Sequence, residues 1–362
     1  MVVVVSAIGR LPYPYATDSL LQLVRNEASP QHKDLVVSCG EAISVAVMAD
    51  LLEAEGISLE TFVFDHIGIY TNDRHGDAEI LEINVSPILK ALSRGKVSLV
   101  AGFQGMSANR KIATLGRGGS DTSATALGAA LKADLVEIYT DVDGVFTADP
   151  KLVPEAYTIS EITFEEVGEM AHHGAKVLHP KAVSFSMQDN IPIRVRSTFS
   201  DKPGTMVHGE PVKFQPVVTA VTHIPDVAYI QIEISGIHVD EARHRIFKVF
   251  SEAGVSLDLI TITGNLVDFI IKESDVQKSE EVLASLKWKY QIKKGFAKVS
   301  VVGAGMRGRP GVMFHVVDAL YRAQIPLYHS TDSHITIACL VKQSDLEKSV
   351  QVLHQEFIES KS

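Results

Sequence analysis

A glycine-rich loop between a predicted strand and a predicted helix constrains this chain more than any other stretch. The loop is Gly116-Arg117-Gly118-Gly119-Ser120-Asp121; an apolar run at 97–101 precedes it and an alanine-rich run at 124–133 follows it. Glycine tolerates positive φ and leaves backbone N–H groups open, and a helix N-terminus attracts negative charge. Ser120 and Asp121 are residue types that cap helices, and Arg117 adds a planar fork that suits a carboxylate or phosphate. The loop therefore predicts an anion site at the edge of a parallel sheet, although the G-x-x-x-x-G-K-[ST] spacing of a Walker loop is absent.

The rest of the chain predicts one α/β region followed by two small α+β units. Strand-like and helix-like segments alternate from Val2–Val5 to about residue 208, which favours a mostly parallel sheet between helix layers. Beyond a proline- and glycine-containing linker the chain repeats itself at a spacing of 70, since Lys272-Glu273-Ser274-Asp275 aligns with Lys342-Gln343-Ser344-Asp345. Each copy predicts strand, helix, strand, strand, helix, a ferredoxin-like unit. We expect domains at 1–208, 217–295 and 296–362, with a linker at 209–216.

Composition excludes several classes of function. A net charge of −10 argues against general nucleic-acid binding. The two cysteines, Cys39 and Cys339, and the 14 histidines show no disulfide or metal-ligand spacing, so we expect no metal site built from side chains alone. The apolar runs are too short for a membrane span, and the N-terminus lacks the basic region of a signal peptide. These features predict a cytoplasmic protein with no membrane partner.

Two motifs have competing interpretations. Gly303-Ala304-Gly305-Met306-Arg307-Gly308 matches G-x-G-x-x-G, but it lies in the second repeat copy and Tyr328 and His329 stand where an acidic residue is needed, which disfavours a dinucleotide site. Glu41 lies near the start of a helix expected at 42–55, so it either complements the helix dipole or binds a ligand.

A carboxylate-rich segment, 140–150, follows the predicted strand at 135–140. Ligands of open α/β sheets bind at the carboxyl ends of the strands. For Asp143 in this segment, and for His179, turn chemistry and packing are the favoured interpretation.

Five blocks together resemble the aspartate kinase family, in that family's order and approximate spacing: Gly102–Gly105, Gly116–Asp121, Tyr139–Pro150, Gly174–Pro180 and Arg194–Ser197. The resemblance covers nearly the whole chain and is greatest to the single-function Bacillus-type enzymes. It implies an amino-acid-kinase fold followed by two ACT domains, which agrees with the repeat. It also implies transfer of the γ-phosphoryl group of ATP, with Mg²⁺, to the β-carboxylate of L-aspartate, the first step toward lysine, diaminopimelate, threonine and methionine.

The resemblance assigns expected roles to particular residues. The catalytic candidates are Arg117, Ser120 and Lys176. The aspartate-binding candidates are Thr17, Asp18, Glu41, Phe103, Arg117, Gly118, Gly119 and Ser120. The nucleotide-binding candidates are Ser6, Thr140, Asp141, Phe146, Thr147, Ala148, Asp149, Pro150, Lys151 and Lys176. For an amino-acid effector (diaminopimelate, lysine or threonine) the candidates are Ser256, Asp258, Asp332 and Ser333, and the ACT domains imply a homodimer or larger assembly.

The chain also departs from the family pattern. The family's first strand and Lys-Phe-Gly-Gly loop do not precede Val2, so a chain that begins at Met1 is expected to have little kinase activity. Lys151 stands where arginine is usual, and Phe146 replaces a frequent tyrosine. The alternatives are a catalytically impaired effector-binding regulatory protein and a kinase for glutamate, acetylglutamate or carbamate; the paired repeat and the Ser38–Glu41 block disfavour the latter.

Overall fold

The computed structural model describes residues 1–175, 177–212, 216–235, 238–286 and 288–359. The chain divides into two compact units, and each is described by itself. Unit 1 comprises Met1–Val145, Ser160–Ala171 and Lys176–Glu210; unit 2 comprises Phe146–Ile159, His172–Ala175 and Pro211–Ser362.

Unit 1 contains eleven strands and six helices within the described residues. The strands are β1 (Val2–Val5), β2 (Leu59–Phe62), β3 (Ile69–Thr71), β4 (Ile80–Ile83), β5 (Val97–Ala101), β6 (Gln104–Ser107), β7 (Ile112–Thr114), β8 (Val136–Thr140), β9 (Glu161–Thr163), β10 (Ile193–Ser197) and β11 (Thr205–His208). The helices are α1 (Thr17–Leu21), α2 (Pro30–Ala54), α3 (Ser86–Ser93), α4 (Gly119–Leu131), α5 (Phe164–His172) and α6 (Pro180–Asp189).

The strands of unit 1 form three sheets with mixed direction. One sheet has the all-parallel order β1-β5-β2, and a second has the order β8-β10-β11-β9, in which β8 and β10 are parallel. The third sheet, β4-β3-β6-β7, joins antiparallel pairs through the parallel pair β3 and β6. Helix α4 packs against β1 and β8, and α2 packs against β1, β2 and β5. Ser6 after β1, Thr140 at the end of β8 and Asp121 in the first turn of α4 line one cleft, so the carboxyl ends of both strands lie near the start of α4.

Unit 2 is a six-stranded antiparallel sheet with helices packed on it. Its strands are β12 (Ala220–Glu233), β13 (Asp258–Thr263), β14 (Leu266–Lys272), β15 (Lys289–Val302), β16 (His329–Asp332) and β17 (Thr336–Lys342), in the order β13-β14-β12-β15-β17-β16. Its helices are α7 (Val239–Glu252), α8 (Val276–Leu286), α9 (Val312–Arg322) and α10 (Leu346–Phe357). The order strand, helix, strand, strand, helix occurs twice, as the 70-residue repeat predicts.

The two long strands, β12 and β15, each serve both copies of the repeat. The last part of β12 pairs with β14, and the last part of β15 pairs with β17, while β12 and β15 pair with each other along their whole length. Each strand is interrupted near its middle, at Asp226 with φ +54° and at Gly295 with φ +77°. The copies interlock there, because Glu273 accepts a hydrogen bond from the Gly295 amide (2.6 Å) and Gln343 accepts one from the Asp226 amide (3.0 Å).

Segment 146–159 packs with unit 2, whereas the expected domain limits placed it in the first region. The Thr147 carbonyl accepts a hydrogen bond from the Val221 amide, and the Thr147 hydroxyl lies 2.9 Å from Nε2 of buried His354. Ala148 and Val153 belong to the apolar core formed by β12, β15, α9 and α10. The segment belongs to unit 2 because of these contacts with residues distant in sequence, which sequence analysis could not predict. The limits at 209–216 and 295 remain predictions.

Two helix starts differ from expectation, those of α2 and α4. Helix α2 begins at Pro30 with Ser29 as its N-cap, so Glu41 lies well inside the helix and the interpretation as a partner of the helix dipole is wrong. Two of the aspartate-binding candidates, Thr17 and Asp18, lie in the first turn of the short α1, whose N-cap is Ala16. The N-cap of α4 is Gly118 in the left-handed conformation (φ +66°), so Ser120 and Asp121 lie in the first turn instead of capping it.

Helix α2, with 25 residues, contains an 18-residue stretch that is apolar enough to cross a membrane by length and composition alone. The expectation concerned uninterrupted apolar runs, and the charged residues Asp34, Glu41 and Asp50 interrupt this helix. Core helices of soluble proteins pass the same test, and a third of this segment is buried inside the structure. The helix also buries the polar residues Asp34, Ser38 and Glu41 within unit 1.

The G-x-G-x-x-G motif has a packing explanation. A Cβ on Gly303 would lie 2.5 Å from the Val217 carbonyl oxygen, and a Cβ on Gly305 would lie 2.2 Å from that of Pro216. Both glycines thus allow two backbone segments of unit 2 to pass closely. This agrees with the expectation against a dinucleotide site.

Candidate functional site

Two positions of the glycine loop have no room for a side chain. A Cβ on Gly118 would lie 2.3 Å from Cβ of His179, and one on Gly119 would lie 2.6 Å from the Phe103 ring. Phe103 itself has φ +71°, which is unusual for a bulky residue, and its amide donates to the Ser123 hydroxyl of α4 (3.0 Å). The loop, the start of α4 and Phe103 are thereby fixed against one another. His179 has the packing role that was expected of it, and it also caps α6 by accepting from the Lys181 amide.

A buried carboxylate, Asp34, anchors the strand that leads into this loop. Its Oδ1 accepts from the Thr114 hydroxyl (2.7 Å), and its Oδ2 accepts from the amides of Thr114 and Gly76 and lies 2.8 Å from Nδ1 of His75. The next residue, Leu115, offers its carbonyl to Nζ of Lys181 (3.3 Å), which also pairs with Asp77. Sequence reasoning missed Asp34, Asp77 and Lys181, because no local motif links positions so far apart.

Glu41 places a carboxylate in the interior of unit 1. It is 2% exposed, its Oε1 accepts from the Ala7 amide (3.1 Å), and its Oε2 has no hydrogen-bond partner among the described residues. Burial raises the pKa of Glu41 to about 7, against an ordinary value of 4.5. One turn earlier on α2, the Ser38 carbonyl accepts from the side-chain amide of Gln104, the neighbour of Phe103. Glu41 therefore faces the same part of unit 1 as the Phe103 segment, with an unused acceptor.

Arg117 projects from the glycine loop into solvent. Its side chain is exposed and makes no ion pair with any residue in the described part of the chain. Ser120 lies behind it on α4, where its Cβ would meet a Cβ on Gly102 at 2.9 Å. Thr17 is half-buried at the start of α1 and Asp18 is exposed. The loop thus offers a free guanidinium and backbone donors, which can clamp an anion.

A cleft of about 400 Å³ opens beside the start of α4 and contains several of the nucleotide-binding candidates. It is lined by Ser6, Gly9, Arg10, Asp121, Ile138, Tyr139, Thr140, Asp141, Val177, Thr198 and Phe199. Burial raises the pKa of Asp121 to about 6. Asp121, Arg10 and Phe199 were not predicted as binding residues; the position of Asp121 in a glycine loop was the available signal.

The other nucleotide candidates lie in unit 2 or outside the described residues. Thr147 and Ala148 are buried there, Lys151 is exposed, and the Lys151 amide donates to the Asp149 carboxylate (2.9 Å). The role of residues 146–151 in nucleotide binding remains a prediction. Lys176 lies outside the described residues. Asp143 has a structural role through packing, since its carboxylate accepts from two side chains distant in sequence, Ser200 (2.8 Å) and Lys202 (2.6 Å); the part of the expectation that concerned turn chemistry remains a prediction.

The effector candidates lie at loop ends of the sheet in unit 2. Asp258 pairs with buried Lys298; burial alone would raise the pKa of Asp258, but the Lys298 ammonium holds it below its ordinary value. Ser333 accepts from the Thr336 amide (3.1 Å) in the turn between β16 and β17, which Asp332 also borders. Ser256 is exposed ahead of β13. Two of these side chains therefore already have intramolecular partners.

Within the described residues no group of three His, Cys, Asp or Glu side chains is placed to hold a metal ion. A Mg²⁺ ion that arrives with a nucleotide needs only one or two carboxylates in addition to phosphate oxygens. Asp121 and Asp141 both line the cleft, so the donor set there fits such an ion.

Comparison with known proteins gives matches along the whole chain. Residues 1–197 match the model of the amino acid kinase family, and residues 291–355 match that of the ACT domain. Aspartokinase 1 of Bacillus subtilis is 39% identical over 370 residues, which cover 100% of this chain and 91% of that protein. The aspartokinase of Mycolicibacterium smegmatis is 38% identical, over 99% of this chain and 88% of its own.

Among solved structures, E. coli aspartokinase III in complex with aspartate and ADP matches with a TM-score of 0.79 and 28% identity. The match covers 94% of this chain and 79% of that one. The same protein in complex with lysine and aspartate matches with a TM-score of 0.73, over 92% and 77% of the two chains.

Proposed function

Because this chain belongs to the aspartokinase family, we propose that it transfers the γ-phosphoryl group of ATP to the β-carboxylate of L-aspartate, giving 4-phospho-L-aspartate. We also propose that ACT domains regulate this activity, because residues 291–355 match the ACT domain model.

The observation that carries the proposal is that Oε2 of buried Glu41 has no hydrogen-bond partner within the part of the chain that the structure describes. A buried carboxylate without a full set of partners is costly, and an ammonium group is the ligand that best removes this cost. An amino-acid substrate supplies that ammonium, and the free guanidinium of Arg117 supplies a bidentate partner for one of its carboxylates. Any free amino acid satisfies both requirements, and a dicarboxylic one keeps its second carboxylate available to accept the phosphoryl group.

Phosphoryl transfer to a carboxylate requires the protein mainly to position the two substrates. The β-carboxylate of aspartate is already ionised at neutral pH, so no general base is needed. The site must hold two anions close together and stabilise the charge that moves between them. Backbone N–H groups at the start of α4, Ser120 and the proposed Lys176 are the donors for this purpose.

For the nucleotide we propose the cleft bordered by Ser6, Thr140 and Asp141, with Mg²⁺ bound as part of the nucleotide complex. Asp121 and Asp141 are the carboxylates that would hold the ion, which neutralises phosphate charge when bound. The E. coli relative was solved with aspartate and ADP, which supports a nucleotide together with an amino acid.

Hydroxylamine trapping of the acyl phosphate tests this function. L-Aspartate with MgATP should give the hydroxamate, slowly in a chain that begins at Met1 and faster in one extended by the family's first strand and lysine loop, and L-glutamate, N-acetylglutamate and carbamate should not. A chain that phosphorylates one of the other acceptors in preference to aspartate would contradict the proposal.

We further propose that unit 2 binds an amino-acid end product, with diaminopimelate as the first candidate and lysine and threonine next. Asp258 would accept the effector ammonium, which must then compete with Lys298. Thermal shifts of the full chain with each amino acid test this, with Asp258→Asn as the variant and Asp275→Asn, in the 3₁₀ turn before α8, as the control. An equal response in both variants would exclude Asp258.

A homodimer or larger assembly and a cytoplasmic location complete the proposal. Light scattering after size exclusion measures the first, and a monomeric mass with and without effector would contradict it. Fractionation of the cells measures the second.

A further inference from the structure

The nucleotide cleft has an acidic wall. Asp121 and Asp141 both line it, and Arg10 is the one cationic side chain among its described lining residues. Nucleotide phosphates carry several negative charges, which these carboxylates repel. A cation in the cleft is therefore required for phosphate binding. Asp121 and Asp141 would hold Mg²⁺, which would neutralise part of the phosphate charge, and a side-chain donor would serve the other phosphate oxygens.

Arg10 is held at the mouth of this cleft by a weak partner. Its Nη2 lies 3.2 Å from Oδ2 of Asp141, and the two side chains are 86% and 57% exposed. An ion pair this exposed to water contributes little to stability, so the guanidinium can exchange its partner at small cost. Asp141 also accepts from the Thr140 hydroxyl (3.2 Å), so its carboxylate stays in place if Arg10 leaves.

The loop that carries Arg10 is ordered by its own contacts. Gly9 has φ +78°, and a Cβ there would lie 2.8 Å from the Tyr13 side chain. The Tyr13 amide donates to the Arg10 carbonyl (2.8 Å), which closes the turn. The preceding residues, Ser6 and Ala7, leave β1 at the same end of the sheet as the start of α4, where Ala7 donates to Glu41. Arg10 therefore lies in an ordered, hydrogen-bonded turn beside the cleft.

We propose that Arg10 is a phosphate-binding residue of the nucleotide site, which exchanges Asp141 for phosphate oxygens when the nucleotide binds. The proposal rests on the proposed nucleotide use of this cleft. The planar guanidinium can donate two hydrogen bonds to one phosphate, which a lysine cannot do. No role was assigned to Arg10 from the sequence.

Binding of adenosine, AMP and MgADP to the full chain, measured by calorimetry, tests the assignment. Arg10→Ala should weaken MgADP about ten- to a hundredfold, the usual range for a lost charge-assisted hydrogen bond, and leave adenosine within twofold. Arg10→Lys should recover part of the loss. The matched control is Arg94→Ala, an exposed arginine at the end of α3, which should change neither ligand.

Two outcomes would overturn the inference. An unchanged affinity of Arg10→Ala for MgADP would show that Arg10 makes no phosphate contact, and an equal loss for adenosine would show a structural role. Turnover of aspartate by the wild type separates these outcomes from a failure of the proposed function. The KM for MgATP should rise in Arg10→Ala while that for aspartate stays within twofold.

Discussion

Glu41 illustrates how one residue can combine an energetic cost with a role in binding. The folded-state pKa of about 7 lies above the ordinary 4.5, so the folded protein holds this proton more tightly than the unfolded chain. The contribution of this proton to the free energy of unfolding is fully present below pH 4.5 and is lost as the pH rises through 7. A ligand ammonium at Oε2 would favour the charged form and reverse that loss.

Glu41→Gln should therefore stabilise the ligand-free protein at high pH and abolish aspartate binding. The difference in unfolding free energy from the wild type should grow between pH 5 and pH 8 to about 3 kcal/mol. Urea unfolding at several pH values measures it. The control is Glu53→Gln on the same helix; a pH-independent difference for Glu41→Gln would contradict the pKa assignment.

Aspartate binding should release protons from Glu41 near pH 7. Calorimetric titrations in two buffers with different ionisation enthalpies count these protons, and the count should fall toward zero at pH 9. A wild-type count that Glu41→Gln leaves unchanged would assign the protons to another group.

Substitution of Arg117 should change the KM for aspartate much more than the KM for ATP. Arg117→Ala removes a bidentate fork from a carboxylate and should raise the KM for aspartate about ten- to a hundredfold, with a much smaller change for ATP. Arg117→Lys should recover part of the effect. Steady-state kinetics in an active form of the enzyme measures both constants, and equal changes in the two would place Arg117 elsewhere.

At the scale of elements, α2 and β7 are joined through Asp34. Asp34→Asn removes the negative charge and replaces one of the two acceptor oxygens with an NH2 donor, so the Thr114 amide or hydroxyl loses its acceptor; this should destabilise the protein by about 2–4 kcal/mol. The KM for aspartate should rise as well, because Thr114 leads into the glycine loop. Urea unfolding and kinetics measure the two effects. Asp50→Asn, exposed on the same helix, should have neither effect.

The sequence predicted elements best where the signal was local or repeated. The loop before α4 and the 70-residue repeat were both recognisable, and the structure even repeats a contact, since Glu273 and Gln343 each hold the interruption of a long strand. Helix starts were predicted less well: Ser29 and Pro30 begin α2 far upstream of its apolar part, so Glu41 was placed at the wrong depth. The Asp34 contacts could not be predicted, because they join residues up to 80 positions apart.

For the whole molecule, the assignment of segment 146–159 to unit 2 means that a fragment of the C-terminal residues alone lacks part of its core. A fragment of residues 217–362 lacks Val153, which is 1% exposed in the core of this unit, and Thr147, the partner of His354. We expect this fragment to melt below the full chain and to bind a hydrophobic dye.

A peptide of residues 146–159 should raise the melting temperature of that fragment and displace the dye. The same peptide with Val153→Asp is the matched control and should do neither, because it would bury a charge. A fragment that is equally stable with and without the peptide would show that the segment only borders unit 2.

The placement of segment 146–159 also has a consequence for the order of events during synthesis. Thr147 and its partner His354 are 207 residues apart. At about 5–20 residues per second, a ribosome needs about 10–40 s to complete the partner after the segment has been made. Throughout that interval Ala148 and Val153 lack the helices that cover them, so the nascent chain presents a short apolar stretch to chaperones. The core that buries Ala148 and Val153 also contains residues of α10, so unit 2 cannot close until this last helix has left the ribosome.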